Sequence, residues 1–465
     1  MKTHVLVAAI FAVVGGTGPV LAEYDAPQTP PAGHQYSAYP EQTHPNRVYF
    51  GDTHLHTSYS ADAGMVGNTL GPDEAYRFAK GEVVTSSTGL KTRLARPLDF
   101  LVVADHAENL GLAPLLMAKD PTLMATDFGK ALRAKIDAGD LPGAWEVWSK
   151  SKATGKDPLA AHQDIYRTAW SRLTESAEKH NQPGLFTAFI GYEWTSAYNR
   201  NNLHRNVIFR GGKANADTII PFSAFDSVDP EDLWKWMATF EHRTGDKLLA
   251  IPHNGNLSNG LMFDDVTLAS KKPLDRDYAE RRARWEPLYE TTQMKGDGEA
   301  HPLLSPRDEF ADFETWDKGQ LGPAPKTPDM IPKEYSREAL KRGLAYEAKF
   351  GVNPFKDVLI NVEIYRGAIR KGQWKLVKTA TLPGKIELFD LGRDPGEKAN
   401  VAEQNPDVVA DLEARLVAYA KAQKPSLWFL AQPAFLGAQG ETAFDPGFDI
   451  SDGGLPREKP VLPKR

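Results

Sequence analysis

Two histidines stand two positions apart in the segment GDTHLHTSYSADA, which covers residues 51–63. In an extended chain this spacing places the imidazoles of His54 and His56 on the same side, where both can reach one metal ion. Isolated His-x-His pairs are also common among ordinary surface residues, so the pair alone does not establish a metal site. Its chemical meaning depends on what the rest of the chain places near it.

Other residues of the same chemical types accompany the apolar segments that should form strands. His106, Glu193 and His253 each stand just past such a segment, and a further segment begins with a histidine at position 204. In a barrel of parallel strands, residues beyond the carboxyl ends converge on one mouth, where active sites form. We expect these imidazoles and the carboxylate to meet there, as a set suited to Zn, Mn or Fe. The alternative is a group of ordinary hydrogen-bonded histidines.

The apolar periodicity predicts a mixed α/β architecture in which parallel strands alternate with helices. A helical segment over residues 109–182 is interpreted as an insertion between strands. After residue 351 the pattern changes to short strands separated by turns, which is typical of an antiparallel sheet, followed by a helix. The predicted strands cover residues 47–51, 98–104, 186–191, 204–209, 248–251, 358–365, 373–380 and 386–391, and the predicted helices outside the insertion cover residues 72–80, 230–242 and 406–422.

The N-terminal residues are typical of a secretory signal. Lys2 precedes an apolar run from Val5 to Val14, which is too short to span a bilayer. We therefore expect a protein exported to the periplasm or secreted, and no later segment predicts a membrane span.

The predicted domain organisation follows from these patterns. Its four parts are a signal peptide over residues 1–22, an irregular lead-in over residues 23–46, an α/β domain that carries the candidate metal ligands over residues 47–355 and a C-terminal subdomain over residues 356–465.

The composition of the 465-residue chain excludes several classes of function. Lys and Arg total 55 against 61 Asp and Glu, and this net charge of −6 gives no electrostatic reason to expect a nucleic-acid partner. The chain has no cysteine, which excludes disulfides, thiolate metal ligands and cysteine nucleophiles. With 41% hydrophobic and 25% charged residues, it can form a sizeable core.

Several phrases between residues 45 and 356 carry a family resemblance: GDTHLHTSYSADA, DFLVVADHAE, FIGYEWTS, LHRNVIF, IPHNGN, KGDGEAHPLLSPRDEFADFE and ALKRGLAYEAKFGVNPFK. The sequence resembles the PHP (polymerase and histidinol phosphatase) superfamily. Its motifs are most similar to those of the secreted bacterial group called domain of unknown function 3604. The resemblance implies a distorted PHP-like (β/α)7-type barrel that hydrolyses phosphate esters with bound divalent ions. By position, it assigns the metal ligands to His54, His56, His106, Glu193, His204 and His253, with Asp62 as a weaker candidate.

Residues 363–421 resemble the C-terminal subdomain of type I (formylglycine) sulfatases, a small antiparallel sheet with a closing helix. The catalytic half of that family is missing, because its motif Cys/Ser-x-Pro/Ala-x-Arg has no counterpart: Ser196 and Arg200 are separated by Tyr198 in the middle position. The PHP resemblance also implies a final Asp-x-His ligand pair after FGVNPFK, yet this chain has no histidine after His301. The chain is therefore interpreted as a fusion made where the last ligands should come.

These patterns predict a metal-dependent hydrolase of phosphate or sulfate esters that uses a metal-activated water. Glu193 is expected to bridge the ions as the only carboxylate among the imidazoles, and Arg205 to steady an anionic oxygen of the substrate. Because the last ligand pair is missing, we expect one or two divalent ions per chain, with water or an acid such as Asp357 completing the site. Two alternatives stay open: a metal-binding but weakly active fusion, and a module that binds sulfated glycans or a protein partner.

Overall fold

The structure is a computed structural model of the chain. It describes residues 48–153, 155–316, 319, 325–355, 358–361, 366–371, 374–379, 385–394, 398–421, 448–449 and 455–456. The predicted signal peptide and lead-in lie outside these residues, and so does Asp357. The chain divides into two units, Met1–Tyr49 and Phe50–Arg465, and all that follows concerns the second unit.

The strands, in chain order, are β1 (Gly51–Leu55), β2 (Val84–Thr85), β3 (Lys91–Thr92), β4 (Phe100–Val103), β5 (Thr187–Trp194), β6 (Arg205–Phe209), β7 (Leu248–Pro252), β8 (Leu288–Gln293), β9 (Gly296–Asp297), β10 (Val358–Asn361), β11 (Arg366–Lys371), β12 (Trp374–Thr379), β13 (Lys385–Asp390), β14 (Phe448–Asp449) and β15 (Leu455–Pro456). The helices are α1 (Ala61–Gly64), α2 (Pro72–Ala79), α3 (Leu112–Ala118), α4 (Pro121–Ala125), α5 (Asp127–Asp137), α6 (Leu141–Ala153), α7 (Gln163–His180), α8 (Lys213–Ala216), α9 (Pro230–Thr244), α10 (Arg276–Trp285), α11 (Ser336–Phe350) and α12 (Pro406–Lys421). None of the helices in the described part of the chain has both the length and the apolar character that crossing a bilayer requires.

The centre of the fold is a five-stranded sheet that curls into a half-barrel, in the order β1-β4-β5-β6-β7. β1, β4 and β5 pair in parallel, whereas β6 is antiparallel to both β5 and β7. The mixed α/β class is confirmed, but the prediction of parallel strands is wrong at β6. Between β5 and β6 the chain forms only the short 3₁₀ turn Tyr198–Arg200, whereas a parallel connection needs a longer crossover, usually a helix. Beyond β7, an isolated parallel bridge joins His253 to Glu290 of β8.

The sequence of β4, FLVV, is buried on both sides of the sheet. Leu101 packs in a large core cluster together with Trp170 of α7. Its neighbour Val102 faces the opposite side and packs against Ile208 of β6. A continuous apolar run is what a strand covered on both faces requires, so the sequence pattern and the packing agree.

The insertion predicted over residues 109–182 forms five consecutive helices, α3 to α7. Local caps mark the starts of some of these helices; for example, the side chain of Asp120 caps α4 by accepting a hydrogen bond from the Leu123 amide at 3.0 Å. The second half of α6 carries Trp148, whose side chain is buried. The insertion therefore contributes to the core and is not a surface appendage.

The C-terminal part contains the small antiparallel sheet β11-β12-β13, and Leu412 of α12 is buried against Leu388 of β13. The expectation that residues 358–365 open this sheet is wrong, because β10 pairs in parallel with β8 and the sheet begins with β11. Consecutive apolar residues such as Val-Leu-Ile in β10 are typical of parallel strands, which explains the difference. The domain boundary near residue 355 stays a prediction.

Candidate metal centre

The predicted ligands lie at one edge of the curled sheet, where β1, β4, β5 and β7 end. His56, His106 and His253 each follow one of these strands within a few residues. His54 lies inside the last residues of β1. Glu193 lies inside the last residues of β5, although we expect it just past this strand. In each case the strand fixes the backbone, and the side chains converge because the strand ends are neighbours in the sheet.

His204 reaches the same edge from a strand that begins there. It directly precedes β6, and the antiparallel register pairs Trp194 of β5 with Arg205 of β6. The start of β6 therefore lies beside the end of β5. A reversed strand thus brings a candidate ligand to this edge through the residue that precedes it, and not through one that follows it.

The carboxylate of Glu193 is the centre of the group, because both of its oxygens face imidazole nitrogens. Oε2 lies 2.8 Å from His56 Nε2 and 3.1 Å from His106 Nδ1. Oε1 lies 2.6 Å from His204 Nδ1 and 3.1 Å from His253 Nε2. The side chain of Glu193 is fully buried. The structure thus gathers four imidazoles around one carboxylate that no longer contacts solvent.

His54 completes the predicted set and connects it to an acid that the sequence analysis missed. Its Nε2 lies 3.6 Å from Glu193 Oε2, and its Nδ1 lies 2.7 Å from Glu290 Oε2. Glu290 is buried in β8, a strand that the apolar pattern does not predict. A signal existed in the sequence, because Glu290 is a charged residue among strand-forming Tyr and Thr residues in LYETTQ.

Asp62, the weaker candidate, also lies in the cluster. Its Oδ1 is 3.0 Å from His56 Nδ1, and its Oδ2 is 3.1 Å from His106 Nε2. The Ser60 hydroxyl donates a hydrogen bond of 2.7 Å to Asp62 Oδ1, which fixes the carboxylate in this place. Asp62 and Glu290 therefore stand at opposite ends of the cluster, with Glu193 between them.

Several buried atoms of the cluster approach one another closely yet form no hydrogen bond of acceptable geometry. Within the described residues these atoms are His56 Nε2, Glu193 Oε2, His204 Nδ1, His204 Nε2, His253 Nδ1 and Glu290 Oε1. Buried polar atoms without partners are rare and costly in folded proteins. A cation bound among them would satisfy them together, so the donor set fits a divalent metal ion.

The donor atoms fall into overlapping groups of three that lie within 4.8 Å of one another. These groups are His54, His56 and Glu193; His54, His253 and Glu290; His56, Asp62 and His106; and Glu193, His204 and His253. Imidazole with carboxylate is the ligand set that Zn, Mn and Fe favour.

Carboxylates raise the pKa values of the histidines on one side of the cluster. Burial opposes a charge on His54, but Glu290 and Glu193 outweigh it and raise the pKa of His54 to about 9. Burial opposes the charge on His56 as well, yet Asp62 and Glu193 hold the pKa of His56 well above its ordinary value. Without a metal ion, these two imidazoles therefore carry protons at neutral pH.

The two histidines on the other side of the cluster, His204 and His253, have lowered pKa values. Burial and the nearby charge of His54 lower the pKa of His253 to about 4. Burial also keeps the pKa of His204 well below its ordinary value, despite the contact with Glu193. His204 and His253 are therefore neutral at pH 7, the state in which an imidazole can bind a metal.

Two further acids hold the backbone around the His-x-His pair. Asp52 Oδ1 accepts a hydrogen bond of 2.7 Å from the His54 amide. Asp105 accepts hydrogen bonds of 2.5 Å from the Thr57 amide and 2.6 Å from the Thr57 hydroxyl, and burial raises the pKa of Asp105 to about 6. These contacts fix the turn that follows His56 and so orient its ring.

The structure does not bring Arg205 into the cluster. Successive side chains of a strand alternate in direction, so Arg205 points away from the side that His204 faces. Its guanidinium is buried, donates a hydrogen bond of 2.9 Å from Nε to Glu286 Oε1, and donates another from Nη1 to the Leu203 carbonyl. Trp234 Nε1 donates to the same Glu286 oxygen at 2.8 Å. Arg205 is thus engaged in a buried ion pair beneath the sheet edge.

Comparisons with curated proteins give one short similarity. The chain is similar to an N-acetylgalactosamine-6-O-sulfatase of Bacteroides thetaiotaomicron, with 42% identity over 62 residues. This similarity covers 10% of the chain and 12% of the sulfatase, so the chain spans only a small part of that relative's length. No solved structure matches the chain.

A family model covers the region that contains the cluster. The family described as "Protein of unknown function (DUF3604)" matches residues 43–362, which is more than half of the chain. The match includes every residue of the cluster, from His54 to Glu290, and ends directly after β10. The chain belongs to the DUF3604 family.

Proposed function

We propose that this protein is an exported, metal-dependent hydrolase of phosphate or sulfate esters. The observation that carries the proposal is the Glu193 carboxylate, which lies buried among five imidazoles, and four of the imidazole nitrogens have no hydrogen-bond partner within the described residues. A fold gains no stability from collecting such groups in its interior, because desolvation penalises each of them. A metal site is the simplest reason for their presence.

The residues of the cluster would hold one or two ions. Glu193 belongs to two of the four groups of three, which supports a bridging role for it. Asp62 and Glu290 would supply acids in place of the missing Asp-x-His pair, a role for which we expected water or an acid such as Asp357. When bound, a divalent ion lowers the pKa of a coordinated water and polarises an ester oxygen. The resemblance of the His-x-His pattern to the PHP superfamily supports both this chemistry and a PHP-like distorted barrel.

The surrounding residues would prepare the site for that reaction. Asp52 and Asp105 hold the backbone of the His-x-His segment in place. Trp148 packs beside His106, with ring centres 5.9 Å apart, and covers the cluster from the side of the insertion. Exclusion of water by such a cover strengthens every electrostatic interaction inside the site.

The short similarity to a sulfatase favours sulfate esters as a second candidate substrate class. We infer that β11, β12 and β13 with α12 form the sulfatase-like tail that the sequence suggests. Because the chain has no cysteine, sulfate-ester hydrolysis would have to depend on the histidine cluster and not on a formylglycine. Mass spectrometry that finds a formylglycine at any serine would contradict this assignment.

The test is turnover of aryl phosphate and aryl sulfate esters by the purified chain, with elemental analysis of the same sample. We expect turnover of at least one ester, loss of turnover after chelation, and recovery when Zn²⁺ or Mn²⁺ is added. Full turnover after exhaustive chelation would refute the metal-hydrolase function. Bound metal without turnover of either ester would favour the weakly active fusion, and binding of sulfated glycans that survives chelation would favour a binding module.

A further inference from the structure

Two lysine side chains face the metal centre from different parts of the fold. Lys152 lies near the end of α6, in the helical insertion, and Lys295 lies in the turn between β8 and β9. Neither ammonium group makes a hydrogen bond or an ion pair with the described residues. Many of the other lysines in the described part pair with a carboxylate, for example Lys150 with Glu146 at 2.6 Å.

Contacts with aromatic rings place Lys152 beside the cluster. Its Nζ lies 3.9 Å from the centre of the Trp148 ring, and Trp148 in turn packs against His106. Trp148 is 1% exposed, so its ring holds the ammonium at a fixed position through a cation–π contact. The negative charges of Glu108, Glu193 and Asp62 act on Lys152, with Glu108 the strongest, and none of them forms an ion pair with its ammonium group among the described residues. The lysine thus stands beside the cluster without a direct carboxylate partner in that part of the chain.

Hydrogen bonds hold the backbone of Lys295 in place. Its amide donates a hydrogen bond of 2.8 Å to Gln293 Oε1, and its carbonyl accepts one of 2.9 Å from Asn256 Nδ2. Gln293 donates in turn to Asn254 Oδ1 at 2.6 Å. These contacts tie the turn to the loop that follows His253. The lysine therefore keeps its place relative to a predicted metal ligand.

The two lysines lie close enough to act on each other and on the cluster. The charge of Lys295 disfavours the charged forms of Lys152 and His204, and burial also lowers the pKa of Lys152. Two ammonium groups near one another, without an anion in contact, repel each other at a cost in stability. Metal binding would neutralise the carboxylates and leave these positive charges to an incoming anion.

We propose that Lys152 and Lys295 together bind the tetrahedral anionic group of the substrate, next to the metal ions. This inference rests on the proposed function and specifies its substrate class as monoesters of phosphate or sulfate. Such a group keeps free oxygens that can accept hydrogen bonds from both ammonium groups, whereas a neutral ester offers no charge to them. Lysine suits this task as a compact point charge with three donors.

The test is calorimetric titration of the metal-loaded full chain with inorganic phosphate and, separately, with inorganic sulfate. We expect Lys152→Gln and Lys295→Gln each to weaken binding of the preferred anion about tenfold, the loss that one charge-assisted hydrogen bond represents. Lys152→Arg keeps the charge and should stay within about threefold of the parent chain, on the same scale. Comparison of the phosphate titration with the sulfate titration shows which of the two anions the protein recognises.

Lys150→Gln is the matched control, since it removes the same charge from the same helix at a side chain that is 69% exposed. It should bind the anions as the parent chain does. Unchanged affinity in both lysine variants, equal loss in the control, or no binding of either anion by the parent chain would overturn the proposal.

The failure of this inference is distinguishable from the failure of the proposed function. Elemental analysis should give the same metal content in all the variants. Anion binding that depends on the lysines, without turnover of any ester, would refute the hydrolase and keep the anion site. Turnover combined with unchanged anion affinity in the variants would refute the anion site and keep the hydrolase.

Discussion

His204 Nδ1 lies 2.6 Å from Glu193 Oε1, although the two residues belong to neighbouring strands that run in opposite directions. This contact exists because β6 begins where β5 ends. If β6 were parallel to β5, the same histidine would lie at the far end of the sheet. The reversal of one strand is therefore a condition for the cluster and not an irregularity of the fold.

Replacement of His54 tests the cluster as a metal site. His54→Ala removes a residue that belongs to two of the groups of three, so most of the activity and part of the bound metal should be lost. The fold should persist, with a loss of about 1–3 kcal/mol in the free energy of unfolding, because Glu290 loses its buried partner. Elemental analysis, an ester assay and thermal unfolding measure these effects.

His242→Ala is the matched control for this variant, because His242 is an exposed histidine of α9. It should keep both metal content and activity. A His54→Ala protein with the metal content of the parent chain would show that His54 is not a ligand.

Replacement of Glu290 tests the acid that the sequence analysis missed. Glu290→Gln keeps the size of the side chain but removes the charge that faces His54 at 2.7 Å. We expect fewer than three tightly held ions in the parent chain, activity that rises when Mn or Zn is added, and a lower metal content in the variant. Three tightly bound ions in the parent chain, or an unchanged content in the variant, would contradict this view.

Replacement of Arg205 separates a structural role from a catalytic one. The Arg205–Glu286 pair is buried, and its loss leaves Glu286 with Arg282, whose Nε lies 3.4 Å from Glu286 Oε2, as the remaining cation. Arg205→Gln should therefore lower the free energy of unfolding by about 1–3 kcal/mol, the cost of a lost hydrogen bond to a buried charged group. At a temperature where the variant is folded, its metal content and its KM should match the parent chain. A raised KM with unchanged stability would instead support the anion-steadying role predicted from the sequence.

The binding of metal should depend on pH in a defined direction. The pKa of His54 is raised to about 9 in the metal-free protein, and that of His56 is also raised, so metal must displace protons from both rings at neutral pH. Metal affinity should therefore increase as the pH rises towards 9, and binding should release protons. Titration calorimetry in buffers of different ionisation enthalpy measures this release. Affinity that falls over the same range would contradict the assignment.

The raised pKa of His54 also predicts that the stability of the chelated protein decreases as the pH rises. The folded pKa of His54 lies above its ordinary value of 6.5, so the charged imidazole stabilises the fold fully below pH 6.5. This contribution is lost as the pH rises through about 9. The melting temperature of the chelated parent chain should fall over this range, and that of the chelated His54→Ala protein should fall less.

Much of the cluster was predictable from the sequence because strand ends are visible as apolar runs. His106 and His253 follow such runs directly, and parallel neighbours bring their ends together. Asp62 was a weaker candidate that only the family resemblance implied. The helices were also predictable, because their caps are local: α2 begins at Pro72, with acids in its first turn, as we expect from the sequence.

The rest depends on contacts between residues distant in the chain. Glu290 was missed because β8 has no apolar run, so nothing in the sequence marks its position relative to β7. Arg205 forms its ion pair with Glu286, which is distant in the sequence. The residues around neither side chain indicate this pair. The direction of β6 depends on the length of the connection before it, which apolar periodicity does not report.

The pairing of β10 with β8 has a consequence for how the protein can be divided. A fragment that stops at residue 355 would lack β10 and would leave one side of β8, the strand that carries Glu290, as an open edge. Such edges offer unpaired backbone groups to other chains and promote aggregation. A fragment that extends through Asn361 keeps this protection, and the family match also reaches this point. The region that carries the cluster therefore includes β10, and a fragment that keeps β8 paired ends after β10.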